Sequence, residues 1–193
     1  MGEIKSTLEI ALEKAQRLGM ASKEEIEAEK WIGKGQRMAA KYLEGDENDL
    51  RSMIAGVESD KIPAVLRGVS HILLRNTYLP RDHDQMKRIK KALEGLLQIK
   101  GSMAAQTVSQ IEQIIESYFQ TRQHYYQQMK AQIQSRLGGV QQALAQQYGM
   151  AMPEGIDPEA IPEFQQEWSK LDNELREQFE NQLDTLKRYL EQI

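Results

Sequence analysis

The chain has 193 residues, of which 40% are hydrophobic, so it is long enough to bury a core without help from disulfide bonds. It contains no cysteine, which excludes disulfides, thiolate metal ligands and thiol nucleophiles. The net charge is −4 and no apolar run is long enough to cross a bilayer, so we expect a cytoplasmic protein without membrane association.

The first hundred residues predict a succession of amphipathic helices. Apolar residues spaced for one helical face predict a first helix over residues 4–18. Ser22 and Glu25 have the spacing of a capping box, which predicts that a second helix starts there and ends at Gly45. Within that helix, Gly33 and Gly35 do not fit a phosphate-binding loop, and we expect them to let another helix approach closely.

Three shorter apolar stripes complete this half of the chain. They begin at Leu50, at Pro63 and after Pro80, and each predicts a helix. Proline suits the first turn of a helix, which supports the start at Pro63. No stretch alternates between apolar and polar residues for long enough to predict a strand, so the fold class is expected to be all-α with an N-terminal helical bundle.

Composition changes sharply near residue 100. Residues 1–100 contain 18 basic and 16 acidic residues, whereas residues 101–193 contain 7 and 13, giving net charges of +2 and −6. Four glutamines lie in the first part and 18 in the second. The sequence Lys100-Gly101-Ser102 is suited to a helix stop, a turn and an N-cap. These features predict two domains, 1–100 and 101–193.

The second domain is predicted to be a long antiparallel helical hairpin. Helices over about 102–148 and 158–193 flank a break at 152–158, and each carries an apolar stripe like that of a coiled coil. Tyr118 and Tyr125 are expected to lie exposed beside this stripe. Gly138-Gly139 predicts a bend or a close crossing of another backbone, with the bend favoured. The residues expected to pack in the core or between subunits are Tyr118, Phe119, Tyr125, Tyr126, Met129, Trp168, Leu175 and Phe179.

Asp82, His83 and Asp84 place two carboxylates and an imidazole in three consecutive residues. They could contribute to a metal or acid–base site, but such a site needs further ligands that the sequence does not identify. Asp82 also has capping-box spacing with Gln85, so helix capping is the favoured interpretation and no cofactor is predicted.

A basic cluster follows in the same helix, formed by Lys87, Arg88, Lys90 and Lys91. Phosphate neutralisation by such a cluster gives affinity for nucleic acid without sequence selectivity. A charged run opposite an apolar stripe is more often a solvated helix face, and the acidic second half argues against nucleic acid. Nucleic-acid binding is therefore the alternative hypothesis.

Three segments carry a resemblance to a known family: residues 1–6, 79–97 and 145–149. The chain resembles an uncharacterised all-helical bacterial family, which implies a bacterial, cytoplasmic protein and supplies no activity. We therefore expect a non-enzymatic interaction or scaffold protein that forms a homodimer through its hairpin and recruits an unknown protein partner.

Overall fold

The structure is a computed structural model that describes residues 23–47, 49–148 and 157–193. Every regular element in these residues is a helix, so the all-α prediction is confirmed. The elements are α1 (Lys23–Glu44), α2 (Leu50–Ala55), α3 (Ile62–Arg75), α4 (His83–Lys100), α5 (Ser102–Tyr148), a 3₁₀ turn (Pro158–Ala160) and α6 (Pro162–Gln192).

Several predictions concern residues outside the described part of the chain. They are the first helix over 4–18, the N-cap at Ser22 and most of the break over 152–158. The other predicted helices are present close to their expected limits, because their starts and stops depend on local signals. Pro63, for example, is the second residue of α3.

The chain forms two compact units that divide between Ile72 and Leu73, inside α3. The change of composition near residue 100 coincides instead with the turn between α4 and α5, at Gly101. Gly101 has a φ of 65°, a conformation that favours glycine, and its N–H donates to the Leu97 carbonyl at 2.9 Å. Ser102 is the first residue of α5 and Gly101 precedes it as the turn.

In the first unit, α1 and α3 touch backbone to backbone. A Cβ added at Gly35 would lie 2.1 Å from the Val65 carbonyl oxygen, and one at Gly68 would lie 2.1 Å from the Ile32 carbonyl oxygen. Gly33 has open space around it. The expectation of a close helix approach is therefore confirmed for Gly35 and wrong for Gly33, because only Gly35 lies on the side of α1 that meets α3.

In the second unit, α4 and α6 both pack against α5. Residues later in α5 contact residues earlier in α6: Tyr118 meets Phe179, whereas Tyr126 meets Trp168. The core side chains, all less than one tenth exposed, are Met86, Ile89, Leu93, Leu96, Val108, Ile111, Ile115, Tyr118, Phe119, Ile133, Phe164, Leu175, Leu183 and Leu190.

Candidate interaction surface

A part-buried ion pair joins α5 to α6. Arg122 Nε donates to Asp172 Oδ1 at 2.7 Å, and both side chains are less than one fifth exposed. Arg122 occupies the wide step in the apolar stripe between Phe119 and Tyr126, so a charged residue lies in the seam between the two helices at a half-buried position. A paired charge there disfavours other registers of the two helices, because a slip would leave both ions buried without partners.

An aromatic cluster packs next to this ion pair. The Tyr126 ring meets Trp168 edge-on at a centroid distance of 4.9 Å and Phe164 at 5.6 Å. The Arg122 guanidinium lies 5.2 Å from the centre of the Trp168 ring. Edge-on aromatic pairs contribute about 0.5–1.5 kcal/mol each beyond the area they bury. The cluster therefore holds α5 and α6 together within one chain.

The eight predicted packing residues divide into three groups by exposure. Tyr118, Phe119 and Leu175 are buried, and Tyr126, Met129, Trp168 and Phe179 are half-buried. Tyr125 alone among the eight is exposed, at 39%. Most of this set therefore packs inside the chain, and the assignment of any of them to a subunit contact stays a prediction.

Tyr118 does not lie where the sequence analysis expected. Its side chain is 0% exposed, and its ring packs edge-on against Phe179 at 5.5 Å. The expectation of an exposed Tyr118 is wrong because α5 contacts two helices, α4 and α6, so its buried stripe is wider than the seam of a two-helix coiled coil. Burial raises the pKa of the Tyr118 hydroxyl, with a further contribution from Asp172.

Farther along α5, Lys130 pairs with Glu159 of the 3₁₀ turn. The hydrogen bond from Lys130 lowers the pKa of the Glu159 carboxyl, and the same bond raises the pKa of Lys130. Gly138 and Gly139 lie beyond this pair, and nothing lies within 4 Å of a Cβ added at either one. Of the two expectations for these glycines, a close backbone crossing is wrong, and the bend stays a prediction.

An open groove runs between α5 and α6, with a volume of ≈ 640 Å³. Half-buried Ile114, Phe179 and Leu186 supply its apolar part. The other lining side chains are neutral and polar: Gln110, Gln113, Ser117, Asn181, Gln182 and Thr185. Charged side chains are absent from this lining, although 20 of residues 101–193 are charged.

The groove belongs to a longer neutral face, defined as Met103, Gln106, Gln110, Ile114, Ser117, Thr121 and Tyr125 of α5 with Gln178, Gln182, Thr185 and Tyr189 of α6. At 100° per residue these positions share one side of each helix. Met103 and Tyr189 are 69% and 51% exposed. The spacing of apolar residues alone does not reveal this face, whereas the spacing of uncharged residues does.

The acidic cluster at the start of α4 is divided among three structural roles. Asp82 caps α4 by accepting a hydrogen bond from Gln85 N–H at 2.7 Å, as predicted. The His83 ring packs against Phe119 at 5.0 Å, and Asp84 pairs with Lys87 at 3.0 Å. Within the described residues, no three His, Asp or Glu side chains come together as metal ligands.

The basic cluster lies on the outer side of α4. Lys87, Arg88 and Lys90 are exposed and Lys91 is half-buried. Lys87 pairs with Asp84, and Arg88 Nε donates to the Asn76 side-chain oxygen at 3.1 Å. The Asp84 carboxylate therefore neutralises part of the charge that a phosphate would meet, and the Asn76 side chain occupies one N–H of Arg88.

Comparisons with known proteins bear on the family but not on the activity. The family described as a family of unknown function, DUF6657, matches residues 51–192. No curated protein and no solved structure matches the chain. In the part of the chain that the structure describes, no helix combines the length and apolarity that a membrane span requires. The predicted resemblance to an uncharacterised family is confirmed, and the bacterial origin and cytoplasmic location stay predictions.

Proposed function

The chain belongs to DUF6657, a family of unknown function, and we propose that it is a non-enzymatic interaction or scaffold protein. In this proposal residues 1–100 form a helical bundle, and residues 101–193 form an antiparallel helical hairpin through which two copies associate. The dimer then presents two N-terminal bundles to an unknown protein partner.

One observation carries the proposal: large hydrophobic side chains lie exposed on α5 and α6. Met103, Tyr125 and Val140 of α5 and Tyr189 of α6 are each more than a third exposed. Among the described residues, the other large hydrophobic side chain with such exposure is Ile26. Apolar side chains that lie exposed on the same helices favour an interaction surface, because contact with a partner removes them from water.

The lengths of the helices support the same conclusion. At 1.5 Å per residue, the 47 residues of α5 extend for about 70 Å, whereas the 18 residues of α4 extend for about 27 Å. Helix α4 can therefore cover less than half of α5. The rest of the length of α5 suits contact with another helix, as in four-helix bundles built from two hairpins.

The positions of the ionisable side chains favour a structural role for them. Asp82 caps a helix, His83 packs against an aromatic ring, and Arg122 pairs with Asp172 between α5 and α6. These contacts position helices, and they engage the carboxylates of Asp82 and Asp172 in hydrogen bonds.

The direct test is the solution mass of the full chain, measured by light scattering over a range of concentrations. A mass near twice 22.2 kDa is expected at high concentration, decreasing toward 22.2 kDa on dilution if the dimer is weak. A mass of 22.2 kDa at every concentration up to the solubility limit contradicts self-association.

Nucleic-acid binding is the second candidate function, because Lys87, Arg88 and Lys90 are exposed together on α4. Recording the absorbance at 260 and 280 nm in the same experiment separates the two candidates. A protein-like ratio in the dimer favours the scaffold, whereas a raised 260 nm absorbance favours bound nucleic acid.

A further inference from the structure

We propose that the neutral face binds the neutral face of a second copy of this chain, with the two α5 helices antiparallel and crossing at Ile114. This inference rests on the proposed self-association and specifies the surface responsible for it. Three observations carry it: the distribution of charge, the chemistry of the groove and the spacing of the exposed apolar residues.

Charge is excluded from this face. The second unit, residues 73–193, carries 14 basic and 16 acidic residues, so contact through most of its surface removes charged groups from water. From Met103 to Thr121, the neutral face of α5 contains only uncharged side chains. The acidic residues of α5 in this range, Glu112 and Glu116, lie on other sides of the helix. Two copies that meet through the neutral face keep their charges apart and in water, which favours a copy of the same chain as the occupant.

The groove chemistry is self-complementary. Ile114, Phe179 and Leu186 give it an apolar floor, and the surrounding amide and hydroxyl side chains both donate and accept hydrogen bonds. Across a two-fold axis, the polar groups of this face in one copy can therefore form hydrogen bonds with the polar groups of the same face in the other copy. A strongly charged partner would lose hydration on binding to the neutral face, and the face carries no opposite charge to compensate for that cost.

The exposed apolar residues are spaced symmetrically about Ile114. Met103 precedes it by 11 residues and Tyr125 follows it by 11 residues, which is close to three helical turns in each direction. In an antiparallel contact centred on Ile114, Met103 of each copy meets Tyr125 of the other, and Gln110 lies within one residue of the level of Ser117. Such an arrangement is isologous, since each contact occurs twice, and it closes at two copies.

The test places charge in the groove without changing side-chain shape. In the full chain, Gln113→Glu with Gln182→Glu brings four carboxylates together across the proposed interface. We expect the dimer dissociation constant to rise at least about tenfold, because like charges that face each other in an interface cost several kcal/mol. The matched control is Gln127→Glu with Gln166→Glu, which adds the same charge at exposed positions outside the neutral face and is expected to leave the dimer unchanged.

The outcomes separate this inference from the proposed function. The inference is supported if the wild-type chain is a dimer, the groove substitutions dissociate that dimer and the control substitutions do not. A dimer that both variants preserve overturns the inference and leaves self-association intact. A wild-type monomer, with the groove open to a different occupant, overturns both. Circular dichroism establishes that each variant retains its helices.

A second measurement tests the crossing point and does not depend on weakening the dimer. Because the chain contains no cysteine, Ile114→Cys introduces a single thiol. A short bismaleimide is expected to join two copies of this variant efficiently at concentrations where the dimer forms. Gln127→Cys is the control, since the two positions lie about 39 Å apart along the proposed antiparallel pair. Equal cross-linking of the two variants overturns the proposed crossing.

Discussion

At the scale of single residues, Gly35 shows how a position inside a helix can be determined by a neighbouring helix. Its missing side chain allows the α1 backbone to contact the Val65 carbonyl of α3, and Gly68 does the same from the other side. Glycine lowers helix stability by about 1 kcal/mol relative to alanine. At Gly35 and Gly68, the close contact between α1 and α3 compensates for this loss.

We predict that Gly35→Ala lowers the free energy of unfolding by about 1–3 kcal/mol, because the added methyl group overlaps backbone atoms that cannot move aside easily. Gly33→Ala is the control in the same helix. It is expected to raise the free energy of unfolding by about 0.5–1 kcal/mol, since its surroundings are open and alanine favours the helix. Urea denaturation followed by circular dichroism measures both, and equal effects of the two changes would contradict the observed helix contact.

Arg122 is the second informative residue. A charged side chain in the seam between α5 and α6 costs desolvation energy, which the 2.7 Å bond to Asp172 and the contact with Trp168 offset. The bond specifies which turn of α5 lies beside which turn of α6.

We predict that Arg122→Ala lowers the free energy of unfolding by about 2 kcal/mol or more, because Asp172 is left with less than one fifth of its side chain in water and without its cation. Lys87→Ala removes an ion pair whose side chains are 79% and 91% exposed, and it is expected to leave the unfolding midpoint unchanged. A double-mutant cycle with Asp172→Ala isolates the coupling between the two residues. Additive effects in that cycle would show that Arg122 stabilises the helices through packing alone.

At the scale of elements, local signals predicted the helices well. The Asp82 side chain caps α4, Gly101 forms the turn before α5, and Pro63 lies in the first turn of α3. Each of these signals acts through hydrogen bonds or backbone angles within about four residues, so each can be recognised without knowledge of the rest of the chain.

The basic residues on the outer side of α4 allow a test of the alternative function, nucleic-acid binding. If α4 binds nucleic acid, affinity for a labelled duplex falls steeply as salt increases, by about 0.9 logarithmic units per phosphate contact for each tenfold rise in salt. Reversing the charge of all four basic residues, Lys87, Arg88, Lys90 and Lys91, is then expected to abolish binding. A control with four reversals on the exposed stripe of α1, at Lys30, Lys34, Arg37 and Lys41, changes total charge equally. Absent or salt-insensitive binding removes this hypothesis.

At the scale of the whole molecule, self-association links stability to concentration. A dimer that forms from folded chains draws the equilibrium away from the unfolded state, so the thermal midpoint rises as protein is added. We predict such a rise for the wild-type chain and a smaller rise at the same concentrations for Gln113→Glu with Gln182→Glu, because its dimer is weaker. Differential scanning calorimetry over a hundredfold range of concentration measures both, and a wild-type midpoint that does not move contradicts the dimer.

Sequence alone determined the helical fold class, the end of α1, the limits of α2 to α4 and the cap at Asp82, because hydrophobic periodicity and capping are properties of neighbouring residues. Only the tertiary structure decided that Tyr118 is buried, that Gly35 rather than Gly33 meets another helix, and that a charge-free groove opens beside Ile114. These features depend on which side of each helix a distant part of the chain covers. In α5 the contact with a second helix, α4, widened the buried stripe beyond what its own periodicity indicated, and the neutral face is one part of the surface left exposed.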